Sequence, residues 1–196
     1  MINYTKLSIP FEKNNFNLTG YSRSGTRTGI YLEEYDIMMD AGLYFDRKPK
    51  MILVTHGHLD HVCNLYSSLL DNINKPIVLA PPSSVGFLKH YLNSQHTVSL
   101  NRKAYFNKYK MTGLSEPFEV KLSKHFKIVP YTLDHRVDTL GFGINIMGKN
   151  SYANSLNRDV LKYLPVKILP AFALNEITSV CGESVQTLTT DETGTF

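Results

Sequence analysis

The feature that most constrains this chain is a cluster of three histidines and an aspartate in the run His56-Gly57-His58-Leu59-Asp60-His61, directly after the apolar stretch 51–55. Buried imidazole and carboxylate groups need partners, so a turn that concentrates them indicates a bound cation. Alternate side chains of an extended segment point the same way, so the first two histidines can chelate one ion. The aspartate and the third histidine can face a second ion after the chain turns. These ligand types suit zinc, with iron or manganese as lesser alternatives, and the competing interpretation is a polar loop with chance histidines.

Composition limits the number of domains, the types of metal ligand and the class of partner. The chain has 196 residues, 42% of them hydrophobic, which predicts one compact domain. Cys63 and Cys181 are far apart and form no CxxC pair, so any metal must be held by His and Asp. The net charge of +4 permits an anionic partner such as RNA without requiring one. The first residues lack an apolar stretch, so we expect no signal peptide, no membrane association and a cytoplasmic or otherwise intracellular location.

The hydrophobic pattern predicts an α+β layered domain. Strands alternate with short helices in the first half, and strands dominate the second half. A hairpin is expected at 29–40 with a charged turn at 33–36, and helices are expected at 62–70 and 85–91. Further strands are expected at 51–55, 75–80, 118–122, 126–130 and 141–147, with other short β-like pieces between 97 and 129.

The motif HxHxDH, placed after an apolar strand and a threonine, resembles the signature of the metallo-β-lactamase superfamily. The resemblance implies an αββα sandwich with its metals at one edge. Asp40, in Asp40-Ala41-Gly42, is similar to the superfamily's first acidic position, which orients the metal-binding loop. The alternative interpretation of Asp40 is an ordinary turn aspartate before a glycine.

The segment 131–142 is similar to one in the tRNase Z family, the tRNA 3′-processing endonucleases, where a ligand histidine precedes a Gly-aromatic pair. Here the pair is Gly141-Phe142 and the histidine is His135. The early segment 21–26 also resembles that family. The resemblance implies that His135 completes the first metal site with His56 and His58, and it further implies a homodimer.

By the same resemblance, the chain is expected to be a zinc-dependent endoribonuclease that removes the 3′ trailer from tRNA precursors by metal-activated water. Two zinc ions occupy the complete site of the family, with Asp60 holding the second metal and accepting a proton from the attacking water. Two alternatives remain open, namely a hydrolase of a small ester or thioester with the same fold, and a non-catalytic RNA-binding relative.

The chain departs from the family pattern beyond His135, because no histidine follows and the final metal ligand is therefore missing. Asp191 superficially resembles the family's bridging aspartate but lacks the preceding glycine, and an ordinary acidic tail is the favoured interpretation. We interpret residues 1–149 as the N-terminal half of a metallo-β-lactamase-like domain and 150–196 as a diverged or truncated continuation. The sandwich is thus expected to be incomplete at the C-terminus, with one metal firmly held and little nuclease activity.

Two further groups of residues have less specific patterns. In the segment 101–110 basic residues alternate with aromatics, which suits either an RNA-binding surface or a solvated loop with its aromatics in the core. His90, His96 and His125 have no partner at ligand spacing and are interpreted as surface or structural residues.

Overall fold

A computed structural model describes residues 4–11, 14–70, 72–73 and 75–147. Within these residues the chain forms two β-sheets and three α-helices. The helices are α1 (Leu59–Val62), α2 (Leu65–Leu70) and α3 (Val85–Leu100), the last preceded by a 3-10 turn at Pro82–Ser84. The strands are β1 (Thr5–Phe11), β2 (Asn14–Arg23), β3 (Arg27–Leu32), β4 (Ile37–Met39), β5 (Met51–Leu53), β6 (Ile77–Ala80), β7 (Lys110–Gly113), β8 (Phe118–Lys121), β9 (His125–Leu133) and β10 (Thr139–Met147).

The larger sheet contains β1 to β7 in sequence order, and its pairing changes in the middle. Strands β1 to β4 form an antiparallel meander, whereas β4 to β7 pair in parallel. Helices α1 and α2 connect β5 to β6, and α3 connects β6 to β7, because parallel pairing requires a crossover. Because parallel strands point the same way, the segments that follow β5 and β6 meet at one edge of the sheet. The histidine cluster follows β5 and therefore lies at this edge.

The larger sheet buries both of its faces. Alternate residues of β5 point to opposite sides, with Ile52 in the core under the helices and Met51 and Leu53 in the core between the sheets. The smaller sheet, in the order β10-β9-β8, adds Phe126 and Ile128 to the core between the sheets. The three layers of helices, larger sheet and smaller sheet confirm the predicted α+β class. The segment 150–196 lies outside the described residues.

The secondary structure agrees with most of the predicted elements and differs at three places. The predicted helix 62–70 is split, because Asn64 donates its backbone N–H to the Ala41 carbonyl at 2.8 Å instead of continuing a helix. The β-like assignment of 97–100 is wrong, since α3 continues to Leu100 and ends at Asn101, whose φ is 48°. Strands β1 and β2 were not predicted. No described helix has the length and apolarity needed to cross a membrane.

Candidate metal centre

The centre lies where the two sheets and α1 meet. The Val54 N–H donates to the Leu79 carbonyl at 2.8 Å and extends the parallel ladder one residue beyond β5. At the next residue, the Thr55 carbonyl accepts the Leu140 N–H of β10 at 2.9 Å. The loop that carries His56 is thus fixed to both sheets, and α1 follows it at once. The loop 134–138 between β9 and β10 brings His135 to the same place from the smaller sheet.

Three of the predicted ligands converge. His58 Nδ1 lies 3.0 Å from His56 Nε2 and 3.4 Å from His135 Nε2. One ligand nitrogen from each histidine lies within 4.8 Å of the other two. Two nitrogens bound to a tetrahedral zinc at ordinary bond lengths are separated by about 3.3 Å. The spacing and the imidazole donors therefore fit a single transition metal ion held by His56, His58 and His135.

The protonation of these histidines also favours metal binding. Burial, followed by the neighbouring His61, His58 and His135, lowers the pKa of His56 from 6.5 to about 3. Burial and the charges around it likewise lower the pKa of His135. Both imidazoles are accordingly neutral near pH 7, and a metal ion does not have to displace a proton from either of them.

A hydrogen-bond network behind the cluster defines the tautomer of His56. The Thr55 hydroxyl lies 2.9 Å from Asp40 Oδ2, and the Thr55 N–H donates to Asp40 Oδ1 at 2.8 Å. Because an ionised carboxylate only accepts, the hydroxyl donates its proton to Asp40. The Thr55 oxygen can then accept the His56 Nδ1–H at 3.0 Å. This arrangement leaves the Nε2 lone pair of His56 directed at the other two histidines.

His61 belongs to the same network but faces another direction. Its Nδ1–H donates to Asp40 Oδ2 at 2.8 Å, and both side chains are buried, with 1% and 3% of their surface exposed. Burial lowers the pKa of His61, but the hydrogen bond and charge of Asp40 and the charge of Asp60 outweigh it, so the pKa is raised overall. The other nitrogen, Nε2, lies 3.6 Å from Asp60 Oδ2. The predicted second ligand pair is therefore adjacent to the first group but separate from it.

Asp40 fits both interpretations of the sequence, as a turn aspartate and as an acidic residue that holds the metal-binding loop. Its φ of 56° places it in the left-handed turn conformation that aspartate tolerates. The same turn packs tightly on α1, because the Ala41 N–H donates to the His61 carbonyl at 2.6 Å. A Cβ on Gly42 would overlap the Asp60 carbonyl oxygen. Only glycine allows the turn to approach α1 this closely. The close packing places the buried carboxylate of Asp40 behind the histidines.

Asp60 faces the open side of the centre. Its Oδ2 accepts the backbone N–H of Gly25 at 3.0 Å, from the turn between β2 and β3. This turn and the loop 134–138 enclose a cleft of about 490 Å³ over the histidines. The residues lining the cleft are Ser24, Gly25, His58, Asp60, His135 and Arg136.

Sequence reasoning missed several residues of this centre. The motif identifies Thr55 only as the residue before the histidine run, although a hydroxyl at this position is the signal that could have indicated its role. The sequence indicates only that Gly42 belongs to a turn. The contact of Gly25 with Asp60 joins positions 35 residues apart, and no local pattern could have indicated it.

The remaining candidates lie away from the centre. His96 Nδ1 lies 3.0 Å from the Tyr66 hydroxyl, a structural contact, whereas His90 and His125 are exposed. In the segment 101–110, Phe106 is buried in the core and Tyr105 is 73% exposed. This segment precedes β7, so it lies at the opposite edge of the sheet from the centre. Asp191 lies outside the described residues, and its role stays a prediction.

Comparison with curated proteins finds ribonuclease J of Mycoplasma genitalium, 28% identical over 103 residues, which are 53% of this chain and 16% of that protein. Ribonuclease J of Mycoplasma pneumoniae is 27% identical over 103 residues, again 53% and 16% of the two chains. Ribonuclease J has the metallo-β-lactamase fold. This chain resembles the metallo-β-lactamase superfamily. The match spans about a sixth of the length of the curated relatives, and no family model matches the chain.

Solved structures with the metallo-β-lactamase fold are also similar to this chain. The short form of human tRNase Z has a TM-score of 0.47 and 17% identity, covering 66% of this chain and 64% of that one. Unliganded yeast PDE1 has a TM-score of 0.30 and 17% identity, covering 48% of this chain and 29% of that one.

Proposed function

We propose that this chain forms part of a zinc-dependent endoribonuclease of tRNase Z type, which removes the 3′ trailer from tRNA precursors. The observation that carries the proposal is the position of His135, 77 residues beyond His58 in sequence, with its Nε2 3.4 Å from His58 Nδ1. Chance histidines in a polar loop do not recruit a third imidazole from another sheet. The similarity to ribonuclease J supports a ribonuclease in particular.

His56, His58 and His135 would hold the zinc ion. A bound zinc ion supplies an electrophile for the phosphate and lowers the pKa of water to near neutrality. The protein supplies orientation, since Thr55 and Asp40 fix the tautomer of His56. Three protein ligands, with the fourth position left for water or substrate, are the ligand count of catalytic rather than structural zinc sites.

Asp60 is the proposed proton acceptor. Its carboxylate lines the cleft, and the Gly25 N–H holds one oxygen at 3.0 Å. This hydrogen bond fixes the orientation of the carboxylate at the cleft, where a general base must lie within reach of the proton that it accepts. Within the described part of the chain, His61 and Asp60 are the residues that we propose for a second metal ion, and two ligands hold a metal ion weakly. We therefore expect one firmly held zinc ion per chain and weak activity.

The test combines metal analysis with an RNA cleavage assay on the purified chain. We expect about one tightly bound zinc ion per molecule by mass spectrometry of metals. We also expect slow, metal-dependent release of the trailer from a tRNA precursor, absent in the variants His58→Ala and Asp60→Ala. The exposed His125 provides the control, because His125→Ala should retain both properties.

Other outcomes would point elsewhere. Two tightly held zinc ions would contradict the incomplete second site. Turnover of a thioester without RNA cleavage would favour the small-ester hydrolase. RNA binding that is unchanged in Asp60→Ala, with no hydrolysis after metal is added, would favour a non-catalytic relative. The homodimer implied by the resemblance is tested separately by light scattering.

A further inference from the structure

We propose that Arg23, Arg27 and Arg136, which we call the arginine rim, bind consecutive backbone phosphates of a nucleic-acid strand at the mouth of the metal cleft. The inference rests on the proposed function, since it assigns a substrate class to the same cleft. It adds residues that select a polyanionic strand over a small neutral ester.

Arg136 lies on one wall of the cleft. It follows the ligand His135 and lines the same space of about 490 Å³ as His58 and Asp60. It is the sole cationic side chain among the lining residues, and Asp60 is the sole carboxylate. Asp134 and Asp138 lie in the same loop, but neither lines the cleft. The guanidinium is therefore positioned to reach an anion that enters the cleft.

Arg23 and Arg27 flank the opposite wall. The turn between β2 and β3 contributes Ser24 and Gly25 to the cleft, and the Gly25 N–H contacts Asp60 at 3.0 Å. Arg23 and Arg27 are the last and first residues of these two strands and are directly paired across the hairpin. Their side chains thus project together from the base of the turn that borders the metal centre.

The pairing of these two arginines is electrostatically unfavourable in the free protein. Like charges directly opposite each other on antiparallel strands repel and destabilise the hairpin. Both side chains are exposed, and neither they nor Arg136 form an ion pair within the described residues. A ligand that carries several negative charges would remove this repulsion.

The chemistry of the rim suits phosphodiesters. Guanidinium groups bind phosphate oxygens in a bidentate manner and keep their charge at all physiological pH values. Cations on both walls match a strand that carries one charge per nucleotide and passes across the cleft. A neutral ester or thioester offers nothing to three cations. The basic segment 101–110 cannot serve the same purpose, because it lies at the opposite edge of the sheet.

The test measures RNA binding in a metal chelator, so that no hydrolysis occurs. The probe is a short fluorescein-labelled single-stranded RNA, and its affinity is measured by anisotropy over a series of salt concentrations. We expect Arg136→Ala to weaken binding about fivefold. It should also lower the slope of log affinity against log salt concentration by about one, which corresponds to one released counterion. The double variant Arg23→Ala/Arg27→Ala should lower this slope by about two. Arg136→Lys should retain the salt dependence, since it retains the charge.

Lys75→Gln provides the control. Lys75 is exposed and precedes β6, whose start lies at the opposite edge from the cleft, so this variant should bind RNA as the unchanged protein does. Equal weakening in Lys75→Gln and Arg136→Ala would overturn the proposal, because binding would then depend on net charge alone. Unchanged salt dependence in all the rim variants would also overturn it.

Failure of the arginine rim and failure of the proposed endonuclease activity can be distinguished. RNA binding through the rim without any metal-dependent cleavage would support the rim and contradict the endonuclease. Cleavage of a tRNA precursor that is unaffected in the rim variants would support the endonuclease and contradict the rim. Circular dichroism melting verifies that each variant is folded, and the exposure of the three arginines makes loss of folding unexpected.

Discussion

The two halves of the histidine cluster are built in different ways. His56, His58 and His135 direct ligand nitrogens at one another and come from two sheets. His61 instead donates to the buried Asp40, and Asp60 accepts a backbone N–H from Gly25. The geometry of the first group fits a metal ion, whereas the second group is held by hydrogen bonds within the protein.

This difference predicts that metal affinity and the stability of the metal-free protein depend on different residues of the same motif. His56, His58 and His135 place their nitrogens at the spacing of metal ligands, so they should govern metal affinity. The Asp40–His61 pair is buried and mutually satisfied, so it should govern the stability of the metal-free fold. Substitutions in each half therefore test whether metal affinity and folding stability depend on different residues.

The largest effect is expected for His58→Ala. The substitution removes one of the three proposed ligands. It should reduce zinc affinity by more than about 100-fold, the upper range for loss of a residue that only supports a ligand. Zinc affinity is measured by competition with a chromophoric chelator. The melting temperature of the metal-free protein should change little, because His58 is only half buried and its described hydrogen-bond partners are the other two histidines of the group.

The matched control is His125→Ala, which removes an exposed histidine on β9 whose Nε2 lies 3.6 Å from Glu119. It should leave zinc affinity unchanged. If His58→Ala instead unfolded the metal-free protein while retaining zinc affinity, the separation between the two halves would be wrong.

The second largest effect is expected for Asp40→Ala, measured as the free energy of unfolding of the metal-free protein. This substitution removes the buried carboxylate that accepts the His61 Nδ1–H, and breaking such a pair should cost about 3–5 kcal/mol. It also removes the acceptor of both Thr55 hydrogen bonds. Asp40→Asn retains the turn conformation and some acceptor capacity, so its cost should be smaller.

Asp46 provides the control for this substitution. It is an exposed aspartate in the loop before β5, and Asp46→Ala should change the stability by less than about 0.5 kcal/mol. Equal stability of Asp40→Ala and Asp46→Ala would mean that Asp40 is only a turn residue, which is the alternative interpretation of the sequence.

The sequence predicted the parts of this molecule that depend on local patterns. Strands β5 and β6 are buried on both faces, so their continuous apolar runs were recognisable. The ligands of the HxHxDH run are close in sequence, and their spacing alone indicated a metal site. His135 came only from the family resemblance, because a histidine before a Gly-aromatic pair carries little information by itself.

The parts that were missed depend on tertiary contacts. The requirement for Gly42 arises from the position of the Asp60 carbonyl, and the role of Thr55 arises from its contact with Asp40 15 residues earlier. The last turn of α3 contains exposed Val98 and Leu100, which weakened the helical pattern there. The arginine rim joins a hairpin with a loop more than a hundred positions later in sequence.

The smallest effect concerns the pH dependence of stability, to which the two halves contribute with opposite signs. The pKa of His56 is about 3 in the fold and 6.5 as an ordinary histidine, so its contribution to stability is lost as the pH falls below 6.5. The pKa of His61 is raised, so its contribution is complete below 6.5 and is lost as the pH rises through the raised value. These two contributions give the metal-free protein a stability maximum near pH 6.5.

Urea unfolding at a series of pH values in a chelator measures this profile. His56→Gln should flatten the acid side, where a single proton taken up only by the unfolded chain changes the stability by at most about 1.4 kcal/mol per pH unit. His135, whose pKa is also lowered, should leave some slope there. Asp40→Asn should flatten the alkaline side, because it removes the partner that raises the pKa of His61. If both variants flattened the same side, the two halves would titrate as one unit, and the proposed division of the cluster would be incorrect.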